Sequence, residues 1–75
     1  MKSMTCKQLG GACDVVFEAE TFEEIAALSK KHGTAMYKTA DEAHMKAMSV
    51  MMELMKNPAD MKKWFDGKRA EFNAL

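Results

Sequence analysis

The chain has little of what most functional classes need. It contains two cysteines, two histidines and one proline among 75 residues, and its eleven basic side chains balance its eleven acidic ones. A chain without net positive charge has no general electrostatic attraction to nucleic acid or to an anionic membrane. No apolar run is long enough to cross a bilayer, and the N-terminus lacks the continuous apolar segment of a secretory signal. These absences predict a cytoplasmic protein without a nucleic-acid or membrane partner.

The length predicts one small domain, residues 1–75, built from two parts. Residues 2–33 read as a hairpin followed by a helix, and residues 39–75 read as a helical hairpin rich in methionine. An apolar core alone leaves a domain of this size only marginally stable, so a metal ion, a disulfide or self-association often adds to its stability.

The two cysteines lie on either side of a glycine pair, Gly10-Gly11. Around this pair, apolar and polar residues alternate with a period of two, which predicts antiparallel strands over residues 2–9 and 12–20 joined by a two-residue turn. Such a turn places Cys6 opposite Val15 and both cysteine sulfurs on the inner face. In a cytoplasmic protein, two cysteines more often stay reduced or bind metal than form a bridge.

A capping box predicts where the first helix begins. Thr21 is followed by Glu24, and Gly33 suits the left-handed residue after a last turn, so the prediction is a helix from Phe22 to His32. Its inner face would carry Phe22, Ile25, Leu28, Ser29 and His32.

A second capping box, Thr39 with Glu42, predicts a helix that runs to Asn57. Asn57-Pro58 then ends this helix and starts a third, because Asn caps well and Pro is tolerated at the first helical position. The predicted fold is therefore α+β: an N-terminal two-stranded antiparallel hairpin packed on a helix, followed by two further antiparallel helices. The predicted inner stripe of the second helix is Ala40, His44, Ala47, Met48, Met51, Leu54 and Met55.

Three side chains are predicted to converge as metal ligands: Cys6, Cys13 and His32, with His44 as a candidate fourth. Thiolate sulfur and imidazole nitrogen are the ligands that zinc prefers in structural sites, although the spacing of these cysteines is not that of a zinc finger. The competing interpretation is two small buried thiols and a histidine that interacts with free carbonyls at a helix end.

The N-terminal segment resembles a known family. The residues that carry the resemblance are Met4-Thr5-Cys6, Leu9-Gly10-Gly11, Cys13-Asp14, Phe17, Glu20-Thr21, Glu23-Glu24-Ile25 and His32. This pattern resembles the domain of unknown function 1059 family, small bacterial proteins described as predicted metal-binding proteins. The resemblance extends from Met4 to His32 and implies Cys6, Cys13 and His32 as ligands of zinc or another divalent transition metal. Many members place a second histidine shortly after the first, where this chain has Gly33 to Tyr37, so the fourth ligand stays open among His44, Asp14, water or none.

Methionine is abundant, with nine in the chain and five within residues 45–55. Thioethers bind copper(I), but methionine is also a flexible filler of cores and interfaces, which favours a packing role. The methionine-rich helix therefore predicts a shared core and a homo-oligomer interface.

Because no catalytic arrangement of residues is apparent, no enzyme activity is expected. The alternatives to a metal-binding module are a protein-interaction or homo-oligomerisation module and a thiol redox sensor.

Overall fold

The computed structural model describes residues 1–75 and contains two strands followed by three helices. This architecture confirms the predicted α+β class, with an antiparallel hairpin ahead of the helices. The elements are β1 (Lys2–Thr5), β2 (Val16–Ala19), α1 (Phe22–Lys38), α2 (Glu42–Met55) and α3 (Pro58–Asn73), with a 3-10 turn at Lys7–Leu9. No helix is both long and apolar enough to cross a membrane.

The hairpin has the predicted register but much shorter strands. Met4 pairs with Phe17, and Thr5 pairs with Val16. Beyond this ladder the Cys6 N–H still donates to the Val15 carbonyl at 2.8 Å, so Cys6 lies opposite Val15 as predicted. The strands predicted over 2–9 and 12–20, and the two-residue turn between them, are wrong. Residues 6–15 instead form a longer connection.

A capping box explains why β1 ends early. The Thr5 N–H donates to Gln8 Oε1 at 2.7 Å, and the Gln8 N–H donates to Thr5 Oγ1 at 3.1 Å. This reciprocal pair is the usual signature of a helix start, and here it starts the 3-10 turn. The turn ends at Gly10, whose φ of 91° lies in the left-handed region that glycine adopts without strain.

The first helix begins as predicted and ends later. Thr21 Oγ1 accepts from the Glu24 N–H at 3.2 Å, which confirms the cap. The helix then continues through Gly33 to Lys38, so the predicted end at His32 is wrong and His32 lies in the helix interior. A glycine costs about 1 kcal/mol relative to alanine in a helix, too little to stop one. A Cβ at position 33 would lie 3.7 Å from Met48 Cε, an ordinary packing distance, so the approach of α2 does not require a glycine there.

A Schellman motif ends α1 and turns the chain into α2. Ala40 has a φ of 55°, its N–H donates to the Tyr37 carbonyl, and the Asp41 N–H donates to the Met36 carbonyl. Asp41 is the N-cap of α2, so the cap predicted at Thr39 is wrong.

The third helix starts as predicted. Asn57 Oδ1 accepts from the Ala59 N–H at 2.9 Å, and Pro58 is the first helical residue. The preceding helix ends at Met55, slightly before the predicted Asn57.

The buried core is small and lies mainly near the N-terminus. Nine of 75 residues are buried, and Phe72 reaches this core from α3 with its ring edge against Phe22 at 6.2 Å between centroids. Leu28, predicted to face inward, is exposed, and no methionine of α2 is buried. Ala47, Met48, Met51, Leu54 and Met55 of the predicted inner stripe are half-buried, whereas Ala40, also predicted to face inward, is exposed and lies before α2. A core that α2 shares with a second copy stays a prediction. The buried residues are Met4, Cys6, Leu9, Phe17, Ala19, Phe22, Ile25, His44 and Phe72.

Candidate metal centre

Four side chains from three parts of the chain meet at one point. One ligand atom from each of Cys6, Cys13, His32 and His44 lies within 4.8 Å of the other three. The cysteines come from the connection between the strands, His32 from α1 and His44 from α2. Two sulfurs and two imidazole nitrogens at this separation can hold a metal ion.

Two sulfur–nitrogen distances in the cluster lie close to the edge length of a zinc tetrahedron. With Zn–S bonds of about 2.3 Å and Zn–N bonds of about 2.0–2.1 Å, a sulfur and a nitrogen on one ion lie about 3.6 Å apart. Cys6 Sγ lies 3.6 Å from His44 Nε2, and Cys13 Sγ lies 3.3 Å from His32 Nε2. Two sulfurs on one zinc ion would lie about 3.8 Å apart. Because the four ligand atoms already lie within 4.8 Å of one another, the two cysteine sulfurs need to approach by no more than about 1 Å to bind one ion.

An aspartate orients one of the histidines. Asp41 Oδ2 accepts from the His44 backbone N–H at 3.0 Å and lies 2.5 Å from His44 Nδ1. Because Nδ1 is engaged with the carboxylate, Nε2 is the nitrogen that faces Cys6. A carboxylate behind a histidine is the usual outer partner of a metal-bound imidazole, where it fixes the tautomer and raises the basicity of the ligand nitrogen.

The same pair shifts both pKa values. Hydrogen bonding to Asp41 raises the pKa of His44 above its usual value, and the Cys6 sulfur raises it further, while burial opposes both. Hydrogen bonding to the His44 side chain and backbone lowers the pKa of the Asp41 carboxyl. The charged carboxylate is therefore favoured where it supports the imidazole.

The second histidine is held by aromatic edges. The His32 ring meets Phe17 edge to face at 5.6 Å between centroids, and it meets His44 in the same manner at 5.3 Å. Phe17 is buried on β2 and pairs with Met4. The hairpin thus positions the α1 ligand as well as the two cysteines.

The two thiols differ in their acidity. Burial raises the pKa of the Cys6 thiol, but hydrogen bonds from the Cys13 backbone, the His44 side chain and the Ala12 backbone outweigh it, so the pKa is lowered overall. A backbone hydrogen bond from Val15 acts to lower the pKa of Cys13, but burial and the neighbouring Cys6 sulfur outweigh it and leave that pKa raised. Cys6 is thus the more acidic thiol, in a pocket where backbone N–H groups stabilise the thiolate.

The glycine pair makes room for the cluster. A Cβ on Gly11 would lie 2.1 Å from Cys6 Sγ, and a Cβ on Gly10 would lie 2.9 Å from Met51 Sδ. The Gly11 N–H also donates to the Cys6 carbonyl at 2.8 Å. Gly11 is therefore required because the buried sulfur lies directly against its backbone, whereas Gly10 supplies the left-handed turn.

A cavity of about 560 Å³ borders the cluster between α1 and α2. Cys6 and His44 form part of its wall, and the rest is mainly apolar. The methionines that line it are Met48, Met51, Met52 and Met55. These methionine side chains thus border the same cavity as Cys6 and His44.

The structure brings together all four side chains that the sequence singled out, Cys6, Cys13, His32 and the candidate fourth, His44. Asp14, another candidate, is exposed and does not belong to the cluster. Sequence reasoning missed two supporting residues, Asp41 and Gly11. Asp41 precedes His44 by three residues, the spacing of an N-cap and its N3 residue, and this pattern could have identified the pair.

Comparison with known proteins adds no assignment: no family model, curated protein or solved structure matches this chain.

Proposed function

We propose that this chain is a small metal-binding protein that holds one zinc ion in a closed four-ligand site formed by Cys6, Cys13, His32 and His44. The observation that carries the proposal is the convergence of four ligand atoms within 4.8 Å, with two sulfur–nitrogen distances near those of a zinc tetrahedron. The resemblance to the domain of unknown function 1059 family, a group of predicted metal-binding proteins, points in the same direction.

The ligand set favours zinc over other metal ions. Two thiolates and two imidazoles suit a tetrahedral, borderline-soft ion, whereas calcium and magnesium prefer oxygen ligands. Copper(I) held by the thioethers of α2 is the competing site, because methionines line the cavity that borders the cluster. The Asp41 carboxylate behind His44 is the outer partner that a zinc-bound histidine usually has.

The proposed role of the ion is structural. Four protein ligands leave no open position for a substrate, and such closed zinc sites contribute directly to folding. With nine buried residues, the apolar core of this chain is small. One ion would tie the hairpin connection, α1 and α2 together and so supply the stability that the core lacks.

The test measures metal content and geometry in the full chain. We expect about one zinc ion per chain by elemental analysis, and a chelator should lower the melting temperature. Replacement of zinc by cobalt(II) should give the strong visible absorption of a tetrahedral ion with sulfur-to-cobalt charge transfer. Cys13→Ser should weaken binding and alter this spectrum.

Met51→Leu is the matched control, because Met51 lines the neighbouring cavity without being a proposed ligand. It should keep both the stoichiometry and the cobalt spectrum. A parent chain that stays metal-free, with a melting temperature that ignores chelator and added zinc, contradicts the proposal. Loss of zinc binding in Met51→Leu would instead show that the methionine-lined cavity contributes to the site.

A further inference from the structure

We propose a second chemistry for this cluster: the Cys6 and Cys13 thiolates reduce a hydroperoxide, become a disulfide and thereby release the bound metal ion. This inference rests on the proposed metal site and adds a substrate class and a means of control to it. It is carried by the placement of the two sulfurs: Cys13 lies in an irregular segment whereas the two histidines lie in helices, and the two sulfurs differ from each other in exposure.

The two sulfurs are close, and backbone hydrogen bonds already hold the two cysteine segments side by side. Cys6 Sγ and Cys13 Sγ lie within 4.8 Å, and a disulfide requires about 2.05 Å. The Lys7 N–H donates to the Cys13 carbonyl at 3.0 Å, and the Cys6 N–H donates to the Val15 carbonyl at 2.8 Å. Closing the sulfur gap therefore does not require these two segments to come together from a distance.

The two kinds of ligand are held differently. Residues 10–15, which carry Cys13, belong to neither a strand nor a helix, whereas His32 and His44 lie within α1 and α2. A shift of Cys13 towards Cys6 can thus occur in the irregular connection while the helices keep the histidines in place. The sulfurs would then leave the positions that complete the tetrahedron.

Exposure decides which sulfur meets the oxidant. Cys13 is half-buried, whereas Cys6 is 3% exposed. Both sulfurs are thiolates when they bind the ion, whichever is the more acidic in the metal-free chain, so exposure selects between them. A hydroperoxide in solution therefore reaches Cys13 first, and Cys6 acts as the resolving thiol from the interior. The reacting pair needs no residue beyond those already in the cluster.

The chemistry balances with one hydroperoxide per chain. The Cys13 thiolate attacks the peroxide oxygen, the O–O bond breaks, and Cys13 becomes a sulfenic acid while the leaving oxygen takes a proton. The Cys6 thiolate then attacks the Cys13 sulfur and displaces hydroxide, which forms water with a second proton. For hydrogen peroxide the sum is two thiolates, one peroxide and two protons giving one disulfide and two water molecules. The two sulfurs lose two electrons, and the zinc ion keeps its charge.

The disulfide cannot serve as a thiolate ligand, so only the two histidines remain for the metal ion. Because thiolates are the charged ligands of the set, their loss removes the charge neutralisation at the ion as well as two bonds. The zinc ion should then dissociate, and reduction of the disulfide should restore the site.

The experiment uses the full chain loaded with zinc and treated with hydrogen peroxide. A chromogenic chelator follows released zinc, and mass spectrometry follows the chain. We expect about one zinc ion released per chain, together with a mass about 2 Da below that of the reduced metal-free chain. The product should be monomeric on a non-reducing gel, and a phosphine reductant should restore zinc binding. Restoration matters because methionine sulfoxide, which adds about 16 Da per residue, is not reversed by that reductant under mild conditions.

Two single-thiol variants test the order of attack. In metal-free Cys6→Ser, Cys13 should form a sulfenic acid that dimedone traps, and in Cys13→Ser the buried Cys6 should be labelled more slowly. Faster labelling of Cys6 would overturn the assignment of Cys13 as the attacked sulfur.

The redox inference and the metal site fail in distinguishable ways. A parent chain that binds no zinc before peroxide is added overturns both. A chain that binds zinc but then keeps it, releases it through methionine oxidation alone, or forms disulfides between chains overturns the redox inference and leaves the metal site standing.

Discussion

The N-terminal hairpin and the methionine-rich α2 contrast in how they are held. Five of the nine buried residues lie within the first twenty positions, whereas α2 carries five of the nine methionines and buries only His44. The hairpin is thus fixed by apolar packing, and α2 contributes a polar side chain, His44, at its contact with the hairpin. Helical periodicity placed His44 in the inner stripe of α2, but it did not predict that a histidine rather than a methionine would be the one fully buried residue of this helix.

The contrast has a consequence for stability. If apolar packing holds the hairpin, changes to its core should cost free energy whether or not metal is bound. If the Cys/His cluster holds α2 against the hairpin, changes around the cluster should act through metal affinity. Substitutions in the core and around the cluster can therefore be distinguished by whether their effect on stability depends on bound zinc.

The largest expected effect is the loss of the α3 anchor in the core. Phe72 is 1% exposed and packs on Phe22, so Phe72→Ala should lower the free energy of unfolding by about 3–5 kcal/mol. Phe65→Ala on the same helix is the control, because Phe65 is 39% exposed, and it should cost about 1 kcal/mol. Urea denaturation of the zinc-loaded chains measures both. Equal losses of unfolding free energy in the two variants would show that Phe72 does not belong to the buried core in the way described.

The next effect comes from the close approach at Gly11. Gly11→Ala places a methyl group where Cys6 Sγ lies, so the sulfur must move, and we expect a loss of about 1–3 kcal/mol in stability together with weaker zinc binding. Gly67→Ala is the matched control, since nothing lies within 4 Å of its added Cβ. The control should stabilise α3 by up to about 1 kcal/mol and leave zinc binding unchanged. Unchanged zinc affinity in Gly11→Ala would mean that Cys6 is not a ligand in the position described.

Local sequence signals were sufficient for much of the fold. The alternation of apolar residues predicted the inner face that buries Met4 and Phe17, and the caps at Thr21 and Asn57 mark two of the three helix starts. These features depend on neighbouring residues alone, so the sequence contains them directly.

The wrong predictions of helix and strand ends have physical causes that sequence rules for single elements do not include. Gly33 looked like a helix end, but a glycine inside a helix costs only about 1 kcal/mol relative to alanine, and α1 continues through it to Lys38. The capping box of Thr5 and Gln8 competed with strand alternation and shortened both strands. The inclusion of His44 depended on the return of α2 over the hairpin, which is a tertiary fact.

Removing the charge behind His44 should weaken the site without disturbing the helix. Asp41→Asn keeps a good N-cap residue but loses the carboxylate that engages His44 Nδ1, so zinc affinity should fall by about 10–100-fold. Competition with a chelator of known affinity measures the change. Glu42→Gln, one residue later in the same first turn, should leave affinity nearly unchanged. If both variants bind zinc alike, Asp41 does not support the metal-bound histidine.

Metal-free and zinc-loaded chains should respond to pH in opposite directions. The pKa of His44 is raised in the folded chain, mainly by its hydrogen bond to Asp41, so protonated His44 stabilises the metal-free fold. That contribution is complete below the unfolded pKa of about 6.5 and is lost as the pH rises through the raised folded pKa. The lowered pKa of Asp41 acts in the other direction, so its contribution is present above about 3.9 and is lost as the pH falls through the folded pKa.

Above about pH 6 zinc reverses the loss of stability that deprotonation of His44 causes in the metal-free chain. Zinc needs neutral imidazoles and thiolates, so it binds more tightly as these groups lose their protons. The stabilisation by zinc should grow steadily from about pH 5.5 to about pH 8. Melting curves with and without chelator across this range measure it. Parallel pH profiles for the two forms would contradict a site that includes His44 and the thiols.

The smallest effect on stability is expected at the exposed face of α2. Met52 is 69% exposed, so Met52→Lys should change the free energy of unfolding by less than about 0.5 kcal/mol at low micromolar concentration. The substitution should instead change self-association.

An apolar surface on α2 favours pairing of two copies. We therefore expect the parent chain to sediment above the monomer mass at high micromolar concentration and Met52→Lys to remain a monomer. Val16→Lys, an equally apolar-to-charged change at an exposed position of β2, should associate like the parent. A parent that sediments as a monomer throughout would contradict an interface between copies built on α2.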